Sequence, residues 1–293
     1  MTIWNLGSIN IDHFYRLPHL PAPGETLAAE SYSVGLGGKG ANQSVAAVRA
    51  GAQVMHMGGV GPESWALERL QQLGVDCRHV ARCEVATGHA IINVDHAGEN
   101  AIVLFAGANR GFGFAGVAAA LEGAAPGDWL VMQNETAHQA EAARLAQEKG
   151  LHVAYSAAPF EVEAVRAVLP NVSLLLLNAV ESAQLCKALG VALEALPVPQ
   201  VLVTHGANGA VLHDLATQRE TKAPAFRVQA VDSTGAGDTF AGYFIAALAE
   251  RQSTQAAMRL ASAAAALKVT RVGTADAIPA RGEVEAFLTE QVG

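Results

Sequence analysis

Residues 231–242 read Val231-Asp232-Ser233-Thr234-Gly235-Ala236-Gly237-Asp238-Thr239-Phe240-Ala241-Gly242. The run Phe240–Leu248 has helical apolar spacing, so Gly235–Gly237 is expected as the N-terminal turn of a buried helix. The first N–H groups of a helix lack intrahelical partners and carry the positive end of its dipole. Glycines let an anion approach those groups closely, so the turn reads as a cradle for phosphate or an oxyanion. Asp238 is out of place there by charge. It is either a first-turn acid favoured by the dipole, or the acceptor of a proton from a hydroxyl that attacks a phosphoryl group held on the same amides.

The whole string resembles the second signature of the ribokinase-like (PfkB-type) carbohydrate kinases, D-T-x-G-A-G-D-x-F-x-G, with Ser233 in place of the usual Thr. Upstream, Gly37-Gly38-Lys39-Gly40-Ala41-Asn42-Gln43 is similar to the first signature of that family, where the loop surrounds the sugar. The resemblance implies hydroxyl contacts from Gly38, Lys39 and Asn42, and makes Asp238 the catalytic base. The literal G-x-G-x-x-G at Gly35–Gly40 matches the dinucleotide fingerprint, and Gly235–Ala241 resembles its variant ending in Ala with one residue more. A nicotinamide-dependent oxidoreductase is therefore the competing reading from another class. Against it, Gly35 comes some thirty residues after the opening strand, and Asp238 stands where pyrophosphate would lie. A catalytically silent sugar-binding protein is the third reading, opposed by the intact Asp238.

The 293 residues suit one large domain, and the net charge of −8 argues against nucleic acid or an anionic membrane as partner. Three cysteines without C-x-x-C spacing read as reduced thiols. Asn5, Ser8, Asn10 and Asp12 interrupt any apolar leader, so a cytoplasmic protein is expected. No histidine pair shows zinc-binding spacing.

Ile3–Leu6 reads as a strand opening into Gly7-Ser8-Ile9-Asn10-Ile11-Asp12. Asn10 and Asp12 at a strand's carboxyl end are either an Asx-turn or a grip on neighbouring sugar hydroxyls. Thr26–Val34 is expected as a strand, Ala46–Ala50 as part of a small-residue helix, Gln53–Val60 as a strand and Glu63–Leu73 as a helix. His89–Val94 and Ala101–Phe105 should form a hairpin. With Thr26–Val34 they would build a small lid sheet inserted at about 12–36 and 87–106, and its exposed edges suit pairing with a second lid in a homodimer. Gly61-Pro62-Glu63 and Tyr155-Ser156-Ala157-Ala158-Pro159 depart from the family pattern.

Trp129–Gln133, His152–Ser156, Leu174–Leu177 and Val201–Thr204 are short apolar strands, each but the last followed by a helical segment. Such alternation implies a mostly parallel sheet covered on both faces. The expected fold is a three-layer α/β/α sandwich, ribokinase-like, with a small β-sheet lid. Glu135 matches an acid that contacts the sugar in the family. Asn178-Ala179-Val180-Glu181 is a capping box by spacing. The family uses N-x-x-E here to organise magnesium and the triphosphate through water, and the two roles are compatible. Thr204, Gly206 and Gly209 resemble the V-T-x-G-x-x-G that borders ATP, together with Asn178 and the Gly235, Ala236 and Gly237 amides. The resemblance also places a monovalent cation, K+, among Asp232, Thr234, Lys268, Arg271 and Gly273, chiefly on their backbone; Ala277 stands where a serine commonly helps. It implies an ATP-dependent kinase acting on the primary hydroxyl of a sugar, with D-ribose expected. Fructose, 2-deoxyribose and adenosine are the alternatives.

Overall fold

In the computed structural model, which describes residues 1–63 and 65–291, Thr2–Leu6 forms β1 and alternates across the sheet. Ile3 points into one core, while Trp4 and Leu6 point into the other. β2 (Asn10–Arg16), β3 (Ser31–Gly37), α1 (Lys39–Arg49), β4 (Gln53–Val60), α2 (Trp65–Gln72) and β5 (Asp76–Arg82) follow. Next come β6 (Gly88–Val94), β7 (Asn100–Phe105) and α3 (Phe114–Leu121). Strand and helix then alternate through β8 (Trp129–Gln133), α4 (Gln139–Glu148), β9 (His152–Ser156), α5 (Val162–Val168), β10 (Leu174–Asn178), α6 (Ala179–Leu189) and β11 (Gln200–Thr204). The remainder is a hairpin of β12 (Ala210–Asp214) and β13 (Arg219–Ala223), then α7 (Ala236–Ala249), α8 (Thr254–Val269) and α9 (Arg281–Glu290).

Nine strands make one sheet in the order β13-β12-β11-β10-β9-β8-β1-β4-β5, parallel except for the β12–β13 hairpin at one edge. Helices α1, α7 and α8 pack on one face with Ile3, Val131, Leu174 and Leu202. Helices α3, α4 and α5 cover the other with Leu6, Leu130, Leu175 and Val203. The expected three-layer α/β/α architecture is what forms. Because β1 lies between β8 and β4, the chain winds in one direction from β1 and then in the other from β8. Open α/β sheets bind ligands at such a reversal, outside the carboxyl ends of the strands.

A second sheet of four strands runs β3-β2-β6-β7. The 89–94 and 101–105 expectations fall within β6 and β7. The strand expected at Thr26–Val34 is displaced: β3 begins at Ser31 and runs through Gly35–Gly37. Residues before it are held in a local turn, where Glu25 accepts from the Ala22 N–H and His19 and donates its own N–H to Ala22 O. Gly35 and Gly37 pair with Asp12 and Asn10, so these glycines belong to a strand rather than a loop. The helix expected over 63–73 is α2, with Ser64 outside the described residues. Helix α1 starts seven residues earlier than the 46–50 segment suggested, directly at Lys39.

Candidate active site

Gly7, Ser8 and Gly40 fix the entrance to the site. A Cβ on Gly40 would sit 2.3 Å from Gly7 Cα, so α1 reaches the end of β1 only because neither residue has a side chain. The Ala41 N–H donates to Ser8 O at 2.8 Å, and Asn5 Nδ2 donates to Gly40 O at 2.9 Å and to Ser44 Oγ at 2.8 Å. The first turn of α1 is thereby locked over the carboxyl ends of β1 and β8.

Helix α7 approaches from the other side. Gly235 has φ 73° and turns the chain into the helix, and Thr239 N–H and Oγ1 both return to Gly235 O at 2.9 Å. Among the described residues the N–H groups of Gly235 and Gly237 meet no acceptor. They form the cradle expected from the sequence. Asp238 follows in the first turn, and its carboxylate accepts from Asn42 Nδ2 at 3.0 Å and Gln43 Nε2 at 3.1 Å. Asp238 is thus held by two side-chain amides of α1, a restraint that a mere dipole-favouring acid does not require. Asn42 is buried, and its Oδ1 has no hydrogen-bond partner among the described residues. That orphaned acceptor fits an incoming hydroxyl.

Asp12, Lys39 and Glu135 complete a charged cluster beside Asp238. Burial, reinforced by the nearby Glu135, pushes the Asp12 pKa up to about 7 against the pull of Lys39. Burial likewise raises Glu135, opposed by the Lys39 ammonium and the Ser8 hydroxyl. Ser8 Oγ donates to Glu135 Oε2, which also accepts the Lys39 N–H at 3.1 Å. The Asp238 carboxylate, with Glu135, Glu181 and Asp12, holds the Lys39 ammonium above its ordinary pKa despite burial. Gly37 makes room for Asp12, since a Cβ there would lie 2.0 Å from Asp12 Oδ2. Asn10 Oδ1 accepts from Asn109 Nδ2 at 2.7 Å, and Asn109 Oδ1 accepts the Ile9 N–H at 2.9 Å.

A cleft with about 630 Å³ of open space runs from Lys39 and Asp238 along the ends of β9, β10 and β11. Ser156, Ala158, Asn178, Glu181, Thr204, Gly235 and Gly237 line it. Gly206 and Gly209 flank the turn after β11 and are not among its lining residues. Asn178 and Glu181 form the capping box: Asn178 Oδ1 accepts the Glu181 N–H at 2.9 Å and Glu181 Oε2 accepts the Asn178 N–H at 2.8 Å. Glu63 is not among the lining residues and accepts the Thr87 N–H at 2.7 Å.

Several residues of the site escaped the sequence reading. Gln43 Oε1 accepts from Gln133 Nε2 at 2.9 Å, and Gln133 Nε2 also donates to Asn5 Oδ1 at 3.0 Å. From Asn5 the chain of bonds continues through Ser44 to His56 Nδ1 at 2.8 Å and from His56 Nε2 to Gly7 O at 3.0 Å. A carbonyl only accepts, so Nε2 carries the proton and Nδ1 accepts from Ser44. Burial lowers the His56 pKa to about 4, which keeps the ring neutral. Asn109 was likewise unmarked. Only Gln43 and Ser8 carried a signal, through their places in the first glycine signature and in the Gly7–Asp12 stretch.

Residues 3–281 match the pfkB family carbohydrate kinases. The chain belongs to that family. It is 36% identical to the ribokinase of Haemophilus influenzae, with 98% of each chain covered. Its fold superposes on the crystal structure of Thermotoga maritima ribokinase with TM-score 0.87 at 31% identity, covering 99% of both. Arabidopsis thaliana ribokinase, solved in complex with ribose and ATP, gives TM-score 0.82 at 25% identity over 98% of each. The chain is an ATP-dependent sugar kinase, and the oxidoreductase reading falls with it. Gly35–Gly37 lies in an antiparallel strand of the small sheet, not in a turn between a parallel strand and its helix.

A kinase of this kind works on a nucleotide, a sugar and a divalent metal. No group of three or more His, Cys, Asp or Glu among the described residues holds a metal by itself. Glu181 and Asn178 in the cleft fit a hydrated divalent ion carried by phosphates. The monovalent site is different. Lys268 Nζ donates to Asp232 O at 3.0 Å and lies 3.8 Å from Asp232 Oδ2, with no exposed surface. A further cation on that carbonyl would meet an ammonium where water cannot screen the repulsion, so the residues present do not fit one. Among the described residues no helix is long and apolar enough to cross a membrane.

Proposed function

We propose that the kinase transfers the γ-phosphoryl group of ATP to the primary hydroxyl of D-ribose, giving ribose 5-phosphate and ADP. The observation that carries this is the double restraint of Asp238 by Asn42 and Gln43. It sets a carboxylate beside the α7 cradle and against a cluster of polyol-binding groups. Asn10, Asp12, Gly38, Lys39, Asn42 and Glu135 hold the sugar. Asp238 accepts the proton of the hydroxyl as its oxygen forms the new bond to phosphorus and the bond to the ADP oxygen breaks. The transition state of such transfers is loose, so positioning the hydroxyl counts for more than base strength. Asn178, Thr204, Gly206 and Gly209 border the nucleotide, and the Gly235, Ala236 and Gly237 amides receive its phosphates. Magnesium, held through water by Asn178 and Glu181, neutralises charge on the phosphates when bound.

Coupled-assay kcat/KM values for ribose, 2-deoxyribose, fructose and adenosine test the reading. Ribose is expected first, because each buried polar group left without its hydroxyl penalises the rival. A preference of about a hundredfold for another acceptor overturns ribose. Glu181→Gln separates its two roles. Glutamine still accepts the Asn178 N–H, so thermal stability should hold while the half-saturating magnesium concentration rises severalfold. An unchanged magnesium dependence leaves only the cap.

The small sheet is proposed as a lid that excludes water during transfer. Its edge strand β7 is exposed throughout, and Val103 at 64% and Ile102 at 57% present apolar surface. Pairing of two such edges in a homodimer would cover it. Light scattering is expected to give a dimer for the natural chain and a monomer for Val103→Asp; equal masses overturn this interface. A cytoplasmic location agrees with three free thiols.

A further inference from the structure

The loop that carries the anion cradle is braced from behind by a fully buried lysine. Lys268 sits in the last turn of α8, where a lysine ordinarily reaches out to water over the helix's own carbonyls. Here the side chain turns inward, and Nζ donates to the carbonyl of Asp232 on a different loop. Burying an ammonium is costly unless it is paired and hydrogen-bonded, and the surroundings of Asp232 are built to meet that need. Asp232 Oδ2 lies 3.8 Å from Nζ and accepts the Gly273 N–H at 2.9 Å, while Oδ1 accepts the Thr234 N–H at 2.9 Å. The Val231 and Asp232 N–H groups both close on Val269 O, at 2.7 and 3.0 Å. The segment three residues before Gly235 is thus fastened to the end of α8 from several directions, with a positive charge at the centre.

We propose that the Lys268 ammonium is a tethered monovalent cation that fixes the Asp232 carbonyl and the Gly235–Gly237 turn for phosphate, so that this kinase needs no potassium. The proposal rests on reading Gly235–Gly237 as the phosphate cradle. An ion attached to the chain is present at every salt concentration, so the turn is preorganised without a separate binding event. Lys268 touches neither substrate and is a positioning residue.

The test measures steady-state kinetics and ADP affinity by titration calorimetry in potassium, sodium and tetramethylammonium buffers of equal ionic strength. For the natural chain, kcat/KM and the ADP Kd are expected to vary less than about twofold among them. Lys268→Ala opens space for an ion: in tetramethylammonium it should lose at least about tenfold in kcat and in ADP affinity, and recover both in potassium or ammonium. Lys268→Met fills the space without charge, so it should show the loss without the recovery. Thermal melts report whether each variant is folded. Three results overturn the proposal: about tenfold activation of the natural chain by potassium, a folded Lys268→Met with natural constants in tetramethylammonium, or a Lys268→Ala loss that no cation repairs. If neither variant folds, the comparison of salts on the natural chain decides alone. Absence of ADP binding in every buffer defeats the cradle reading itself, and this proposal with it.

Discussion

Asp238→Asn is expected to lower kcat by about 10²–10⁴-fold while ADP and sugar affinities stay close to natural values. The substitution removes the proton acceptor and keeps the shape. Asn42 and Gln43 both donate to the present carboxylate, and an amide at 238 accepts from only one of them without rearrangement. Asn42 Oδ1 has no partner among the described residues, so a flip of that side chain turns it into the acceptor the new amide requires. The variant should therefore fold. Calorimetric titration with ADP provides the control, and a variant with near-natural kcat removes Asp238 from the chemistry.

Asp12→Asn is expected to reduce kcat/KM for the sugar by about 10²–10³-fold and leave ADP binding unchanged, because in the proposed role a charged acceptor of sugar hydroxyls becomes a weaker neutral one. Its effect on stability should run the other way. Burial and Glu135 raise the Asp12 pKa to about 7 in the folded chain, well above its value when unfolded. The native state therefore favours the protonated acid, and that contribution, complete below about pH 4, is lost as the pH rises through about 7. At pH 8 the natural chain carries the ionised group at a cost that the neutral amide of the variant avoids, so Asp12→Asn should melt at an equal or higher temperature there. Sugar KM should rise as the pH falls below about 7, and this dependence should vanish in the variant. A KM insensitive to the substitution at pH 8 overturns the role of Asp12.

The fold was legible wherever burial wrote itself into composition. Leu174–Leu177 carries leucine at four successive positions because both faces of β10 are covered, and such a run has few other readings. Strands at the edges lacked this signal. Asp76–Arg82 is polar at about half its positions and Arg219–Ala223 at all but the last, and only the neighbouring strand makes them β5 and β13. The strand at 31–37 was misplaced because Gly35 and Gly37 suggest a turn. Gly37 is a glycine because the Asp12 carboxylate of the paired strand lies where its Cβ would be, whereas Gly35 has room for one.

The site divides in the same way. Asp238, Asn42, Lys39 and the capping pair Asn178–Glu181 were readable because local spacing or a glycine signature marks them. Gln133, Asn5, Ser44 and His56 were not. Each is a buried polar residue with a partner far from it in the chain or in a network that closes only in the fold, so nothing near it in sequence distinguishes it from a solvated one. Lys268 was noted for its backbone, yet the side chain makes the contact.

Asp12 stands on the small sheet, whereas Asp238, the Gly235–Gly237 turn and the cleft belong to the large one and its helices. On the proposed reading, part of the grip on the acceptor therefore sits on the small sheet, while Lys39, Asn42 and Glu135 belong to the elements that frame Asp238. Substitutions on β2 can then retune the choice of acceptor without altering the residues that line the cleft, whereas an exchange of β2, β3, β6 and β7 as a cassette has to keep the passage from Gly37 through Gly38 into α1. What such a graft must preserve is the reach of one carboxylate from the small sheet toward the acceptor held against Asp238.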